Sequence, residues 1–325
     1  MTSTPAAPAS SALRTQRHLR LSLVLLVAAL FIAVAIQTVV VSWQPVRLGW
    51  QVLPSISHYF YTPARAVFVG VLVAASVAML ALSGRRRPSV FLDVAALFAP
   101  LIAIVPTPIR GEGTAPGLTC VGADCIPTAL LPEVRIGVAT YVVVVVLAVV
   151  TTAAIRRRQR MATTSAHRIV SAVALVAAAG LALLAFAPGL SESFPLALWP
   201  VGSVHFAAVL LFFGSFAAVP IVYGWRPAEA DETPPTPWQR TVYRLVAGLL
   251  VADLLFLVLV ILDRQTEWGL FGEAPVVLIG EAIALLLFAW FWWEQTLQRW
   301  DDVAGPFAWS PAGSEDPAGG DHGTT

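Results

Sequence analysis

The sequence predicts an all-α protein, a polytopic transmembrane helix bundle of about eight spans. Of its 325 residues, 58% are hydrophobic and only 12% are charged, and the mean hydropathy is +0.77. A soluble domain carries about a quarter charged residues. Because water cannot solvate so apolar a surface, most of this chain is expected to lie in lipid.

Eight apolar stretches approach or reach the length that a helix needs to cross a bilayer core of about 30 Å. They are Leu21–Val41, Ala64–Leu82, Ser89–Val105, Ile136–Ile155, Ile169–Phe186, Val201–Tyr223, Leu245–Leu262 and Val276–Trp293. The third is the shortest and contains Pro100, which neighbouring helices can accommodate. The first has too long an apolar run for a signal peptide and no cleavage site, so we expect it to be retained.

The arginines predict the orientation in the cell membrane. All basic residues are arginines, and with a cytoplasmic N-terminus fifteen of the twenty fall on cytoplasmic segments. This bias predicts that both termini are cytoplasmic. Residues 1–18 and 297–325 are rich in Pro, Ala, Gly, Ser and Thr, and we expect them to form largely disordered tails around a helical bundle over residues 19–296.

Composition also excludes several function classes. The net charge is +1 and no basic tract lies outside the membrane flanks, so no nucleic-acid partner is expected and the lipid bilayer is the main partner. The absence of lysine excludes Schiff-base chemistry. The sequence contains neither a His-Glu-x-x-His motif nor a Gly-x-Ser-x-Gly elbow. We therefore assign no catalytic residue and expect no cofactor.

Cys120 and Cys125 lie in the long outer loop between the third and fourth spans. Thiols outside the cytoplasmic membrane can oxidise and remain oxidised, so a disulfide across this short loop is favoured. A metal site is the alternative, but two sulfurs without a nearby histidine are a poor zinc ligand set.

Four ionisable residues are predicted to lie at one depth near the outer face: His58, Arg65, His205 and Glu281. A charge within the bilayer costs about 2.5–3.5 kcal/mol on insertion scales, so such groups are expected to gather in one site. They form a candidate ligand-binding cluster. Two histidines and one carboxylate could also hold a metal, although nothing in their spacing requires it, so no metal is assigned.

Arg65 suggests the charge of the ligand. It falls in the first turn of the second span, where the helix dipole disfavours a cation by roughly 0.3–1 kcal/mol, so we expect an anion beside it. The candidates are a lipid phosphate, or one of the acids Asp263, Glu267, Glu273 and Glu281. A lipid headgroup or a small anionic ligand is the corresponding partner.

Two other polar features have simpler interpretations. The aromatic run Tyr59, Phe60 and Tyr61 is typical of anchoring at the level of the lipid headgroups. Asp253 falls near the middle of the seventh span without a cation at its depth, so we expect a neutral, hydrogen-bonded acid. Proton carriage is the alternative for this intramembrane acid.

Four stretches carry a family resemblance: SISHYFYTPARAVFVG, FLDVAALFAPLIAIVPT, HFAAVLLFFGSFA and GEAIALLLFAWFWWEQT. Together they resemble an uncharacterised bacterial family of multi-pass membrane proteins, a domain-of-unknown-function group with a distant likeness to DRAM-like proteins. The shared features fall on Ser55, Ser57, Tyr59, Tyr61, Thr62, Arg65, Pro106, Thr107, His205 and Glu281. The resemblance covers about half the chain and implies no known activity.

The chain departs from this family at two points. Where the family has an acid directly after the arginine, this sequence has Ala66. The family also has six spans, so residues 136–186 correspond to an inserted pair. A fainter similarity to intramembrane lipid hydrolases fails, because their His-x-x-x-His motif is missing here.

Three function classes follow from the sequence. The first is a non-catalytic membrane protein that acts as a sensor, scaffold or assembly factor. The second is a transporter or lipid-handling protein that binds an anionic headgroup or solute at the outer cluster. The third is an intramembrane hydrolase or transferase.

Overall fold

A computed structural model of the chain describes residues 11–42, 52–84, 88–110, 124–160, 164–198, 201–227, 233–266, 268–272 and 274–300. These residues form eight α-helices: α1 (Ser11–Ser42), α2 (Arg65–Leu82), α3 (Ser89–Ile104), α4 (Leu131–Arg158), α5 (Ser165–Phe186), α6 (Val204–Trp225), α7 (Pro237–Thr266) and α8 (Val276–Gln298). In the part of the chain that the structure describes, seven helices are long and apolar enough to cross a membrane. The fold is consistent with a multi-pass membrane protein.

Helix α3 is the exception in length. Its 16 residues correspond to about 24 Å at 1.5 Å per residue, less than the thickness of a bilayer core. Pro100 lies inside the helix, as expected. The chain leaves the helix at Val105, whose backbone is extended. This end of α3 lies beside the start of α6, since the Val105 carbonyl oxygen is 2.6 Å from His205 Nδ1.

Six of the helices form a closed ring. In order around the ring, each helix packs against the next: α1, α2, α3, α6, α7 and α8, with α8 returning to α1. Helices α4 and α5 pack against each other and mainly against α3, on the outside of this ring. The pair that the family resemblance sets apart as an insertion thus forms a peripheral hairpin.

Aromatic side chains fill the middle of the ring. Phe216 of α6 is fully buried and contacts Phe288, Phe291 and Trp292 of α8, with ring centroids 4.6, 5.3 and 6.4 Å away. Offset and edge-to-face pairs of this kind stabilise a core beyond the area they bury. This cluster joins α6 to α8 across the ring.

We call the two ends of the bundle the cap end and the base end. A segment of residues 52–62, here named the cap segment, covers the ring at the cap end and contains a 3₁₀ helix over Ile56–Tyr61. At the base end the Tyr243 hydroxyl donates to Gln298 Oε1 over 2.5 Å and accepts from Gln295 Nε2 over 3.0 Å.

Two short antiparallel ribbons lie in the connections. In the first, β1 (Ile109–Arg110) pairs with β2 (Asp124–Cys125). In the second, β3 (Leu196–Leu198) pairs with β4 (Gly202–Ser203), directly before α6. Cys125 is disulfide-bonded. Its predicted partner Cys120 lies outside the described residues, so the pairing stays a prediction.

The first helix is longer than the apolar pattern predicts. It begins at Ser11, so residues 11–18 are helical where we expected a disordered tail. Ala, Leu and Arg in this stretch are strong helix formers, and the Arg17 guanidinium stacks 5.5 Å from the ring of Trp300 at the other end of the chain. At the other end, residues 297 and 298 complete α8, so the start of the predicted C-terminal tail is also helical. Residues 1–10 and 301–325 of the predicted tails lie outside the described residues.

Candidate functional site

The cap segment is a polar stretch of chain buried at one end of the helix ring. Its 3₁₀ helix starts at the N-cap Ser55, whose Oγ accepts from the His58 backbone N–H over 3.2 Å. The residues from Ile56 to Phe60 are all buried. A buried polar stretch is stable only if its donors and acceptors are satisfied, so the contacts of this segment decide how it is held.

Glu281 of α8 supplies the main contact. Its Oε2 accepts from the backbone N–H groups of Ile56 and Ser57 over 2.5 and 3.2 Å, and its Oε1 accepts from Ser57 Oγ over 2.7 Å. The carboxyl group thus caps the amino end of the 3₁₀ helix, where unpaired N–H groups favour negative charge. In return, Leu278 N–H in the first turn of α8 donates to the Pro54 carbonyl over 3.1 Å.

Two tyrosines hold the other end of the cap segment. Tyr59 shares a hydrogen bond of 2.5 Å with Thr38 Oγ1 on α1, and the Tyr61 hydroxyl donates to the Thr107 carbonyl over 2.7 Å. Tyr59 and Phe60 are 1% and 2% exposed. The expectation that this aromatic run anchors at the headgroups is therefore wrong for Tyr59 and Phe60. The tyrosine hydroxyls find partners inside the protein, which permits the burial.

His205 is fully buried at the start of α6. Its Nδ1 lies 2.6 Å from the carbonyl oxygen of Val105, at the end of the short helix α3. Since a carbonyl can only accept, Nδ1 carries the proton, and Nε2 of the neutral ring is left as an acceptor. This Nε2 is buried and has no hydrogen-bond partner among the described residues. The histidine therefore satisfies a helix end that lies inside the bundle.

His58 is held as a neutral imidazole. Burial lowers its pKa to about 4, and electrostatic interactions with His205 and Arg264 act in the same direction. A hydrogen bond to the Pro108 carbonyl opposes this shift in part. Its Nδ1 lies 2.6 Å from Ser55 Oγ. At neutral pH the ring is uncharged, and it links Ser55 to the Pro108 carbonyl through hydrogen bonds.

A cavity of about 840 Å³ lies between the cap segment, the start of α6, the end of α7 and the start of α8. Most of its wall is apolar. Its polar lining comprises Ser55, His58, Thr107, Asp263, Arg264, Gln265 and Glu281. Drug-sized ligands occupy pockets of about 300–1,000 Å³ with mostly apolar walls and a few polar groups. The cavity has the size and character of a ligand site.

Asp263 shapes one edge of this cavity. Its Oδ1 accepts from the Leu270 backbone N–H over 2.9 Å and so folds the loop between α7 and α8 back over the end of α7. The side chain is 6% exposed. From sequence, this acid was expected only as a partner for Arg65.

The structure places Arg65 away from the cavity. Its guanidinium forms an ion pair with Glu133 in the first turn of α4 and lies 4.1 Å from the centroid of the Phe60 ring. Of the anions expected beside Arg65, neither Asp263 nor Glu281 is the partner. Glu267 and Glu273 lie outside the described residues. Glu133 was not among the partners expected from sequence, because it precedes the apolar part of its helix.

This ion pair is expected to contribute little to stability. The side chains of Arg65 and Glu133 are 33% and 58% exposed, and exposed pairs contribute at most about 1 kcal/mol. Glu133→Gln should lower the free energy of unfolding by less than about 1 kcal/mol, measured by detergent-induced unfolding in mixed micelles. Glu192→Gln, at another exposed acid, is the matched control. A loss several times larger than that of the control would contradict a surface pair.

Of the four predicted site residues, the structure brings two into the wall of the cavity, His58 and Glu281. His205 lies close enough to influence the charge of His58 but does not line the cavity. The described residues contain no group of three or more His, Cys, Asp or Glu side chains placed to hold a metal ion. Asp253 lies outside this cluster, in the middle of α7, where it is 7% exposed.

Comparison with models of protein families, with curated proteins and with solved structures finds no match for this chain.

Proposed function

We propose that the chain is a multi-pass protein of the cell membrane that binds a small amphipathic ligand, without catalysis, in the cavity at its cap end. In this proposal all eight helices span the bilayer, both termini are cytoplasmic and the cap end faces outwards. The arginine bias supports that orientation. The cavity of about 840 Å³ beside Glu281 and His58 is the observation that carries the proposal.

The lining indicates the chemistry of the ligand. Apolar side chains of α6 and α7, among them Val209, Leu210, Leu257 and Ile261, suit an acyl chain. The polar edge combines the carboxyl groups of Asp263 and Glu281 with one guanidinium, that of Arg264. The sequence predicted an anionic headgroup because it placed Arg65 in the site. Since Arg65 does not line the cavity, that argument no longer applies. A zwitterionic lipid headgroup fits this mixture of charges better.

The test is photolabelling of the purified protein in bilayers, with a phosphatidylcholine that carries a diazirine in its acyl chain. Labelled peptides should map to the cavity walls of α6 and α7. Leu210→Trp fills the cavity and should reduce this labelling about tenfold, which corresponds to about 1.4 kcal/mol. Leu211→Trp is the matched control, because Leu211 is 46% exposed and does not line the cavity.

Two outcomes would overturn the proposal. One is labelling of the cavity peptides that is equal in Leu210→Trp and Leu211→Trp. The other is labelling confined to lipid-facing positions. A parallel experiment with a phosphatidylglycerol probe distinguishes headgroups, and stronger labelling by this anionic probe would restore the expectation made from sequence.

A second candidate is a scaffold without a ligand, and one observation favours it. Glu281 and His58 already have hydrogen-bond partners within the protein, so their burial is explained by the fold of the cap segment alone. This candidate predicts no saturable labelling of the cavity. The photolabelling experiment therefore separates the two.

A further inference from the structure

Asp253 is a carboxyl group near the midpoint of a long membrane-spanning helix. It is the seventeenth of the 30 residues of α7, which runs from Pro237 to Thr266. At 1.5 Å per residue, each end of the helix is about 20 Å or more away. The side chain is 7% exposed, and its Oδ2 is buried without a hydrogen-bond partner among the described residues. The expected hydrogen-bonded acid is thus left with an unpaired oxygen.

A glycine on the neighbouring helix makes room for this carboxyl group. A Cβ placed on Gly280 of α8 would lie 3.5 Å from Asp253 Oδ1 and 2.7 Å from Leu257 Cδ2. Any larger residue at position 280 would therefore press on Leu257 and crowd the acid. The backbone of α8 passes close to Asp253 because residue 280 has no side chain.

The nearest other titratable groups on α7 lie far from Asp253 along the helix. Tyr243, Arg244, Asp263 and Arg264 are nine to eleven residues away, or about 14–17 Å along the axis. The titratable groups of α8 are Glu281, beside Gly280, and Glu294. Those of α6 are His205 and Tyr223, near its two ends. No ion pair in the described part of the chain includes Asp253.

An unpaired carboxylate at this depth is costly, by about 2.5–3.5 kcal/mol on insertion scales. A carboxylic acid avoids that cost by keeping its proton, but its O–H then needs an acceptor. The described side chains supply none to Oδ2. A water molecule that accepts from this O–H would satisfy the group.

The cavity lies next to this acid. Leu257, one helical turn from Asp253, lines the cavity, and so does Glu281, the neighbour of Gly280. We propose that Asp253 is a proton-binding site at the centre of the membrane, which exchanges its proton with water in the cavity. This proposal goes beyond ligand binding and does not require that any ligand be bound.

Dicyclohexylcarbodiimide tests the protonation. A protonated carboxyl group adds across one C=N bond of the reagent, and the acyl group then migrates to nitrogen, which gives a stable N-acylurea without a leaving group or redox step. We expect mass spectrometry to find this adduct at Asp253 at pH 7 and to find none on the same peptide of Asp253→Asn. If the variant does not fold, the site of the adduct can still be mapped within the wild-type protein. Asp263 on the same helix then serves as the internal control. An unmodified Asp253, or equal modification of Asp263, would overturn the proposal.

Infrared spectroscopy tests the route of exchange. After transfer into D₂O, the carboxylic C=O band that is missing in Asp253→Asn should shift as its proton exchanges for deuterium. Leu210→Trp should slow this shift about tenfold, whereas Leu211→Trp should not change it. A shift equally fast in both variants would refute exchange through the cavity. Neither measurement depends on a ligand, so failure here is distinguishable from failure of the proposed function.

Discussion

Glu281→Ala should lower the free energy of unfolding by about 3 kcal/mol. The change leaves the buried N–H groups of Ile56 and Ser57 without an acceptor, at about 1–3 kcal/mol for each orphaned group. Part of this loss is offset, because the variant no longer has to bury a carboxyl group away from water. The measurement is detergent-induced unfolding of the purified protein in mixed micelles.

Two variants on the same helix make this test specific. Glu281→Gln keeps an acceptor oxygen for the two N–H groups, and its amide can donate to Ser57 Oγ, so most of the stability should remain. Ile279→Ala truncates a side chain that is 51% exposed and should cost much less. If Glu281→Ala unfolds at the same detergent fraction as Ile279→Ala, the carboxyl group does not hold the cap segment.

The second large effect is a loosening of the cap segment in acid. His58 has a folded pKa of about 4, whereas an unperturbed histidine titrates near 6.5. Between these values the open form binds more protons than the docked form, so the stability of docking is fully present above pH 6.5 and falls as the pH decreases towards 4. At pH 5 the loss is about 2 kcal/mol, or about thirtyfold in the opening equilibrium.

Hydrogen–deuterium exchange measures this loosening. Protection factors of the amides from Ile56 to Tyr61, corrected for intrinsic rates, should fall about thirtyfold between pH 7.5 and pH 5. His58→Gln is neutral throughout and should remove most of the pH dependence. The other titratable and charged groups near His58 are His205, Asp263, Arg264 and Glu281. An unchanged pH dependence in His58→Gln would assign the effect to one of these groups.

Hydropathy was enough to predict the helices. Each of the eight predicted stretches corresponds to a helix in the described structure, because in lipid a long apolar run has few alternatives to a helix. The sixth helix begins at Val204, three residues later than predicted, because Gly202 and Ser203 form strand β4. The shortness of α3 was also visible in sequence. Helix starts were less predictable, as α1 shows, since helix-forming residues extend it beyond the apolar run.

The sequence did not show which neighbour each candidate-site residue meets. His58, Arg65, His205 and Glu281 were expected at one level, yet Arg65 faces Glu133 of the peripheral hairpin while Glu281 faces the cap segment. Helices that are apolar on every side reveal little about which neighbour a given residue meets. The contact between His205 and the Val105 carbonyl could not be predicted either, because every residue has a backbone carbonyl and the sequence does not show which one is free to accept.

The position of α4 and α5 outside the ring has a consequence for how the protein is organised. No described residue between 131 and 186 lines the cavity, and the ring closes through the contact of α3 with α6. The chain therefore consists of a complete six-helix unit and an accessory pair. A shortened protein without that pair would retain the cavity and would lose the Glu133 carboxylate that pairs with Arg65.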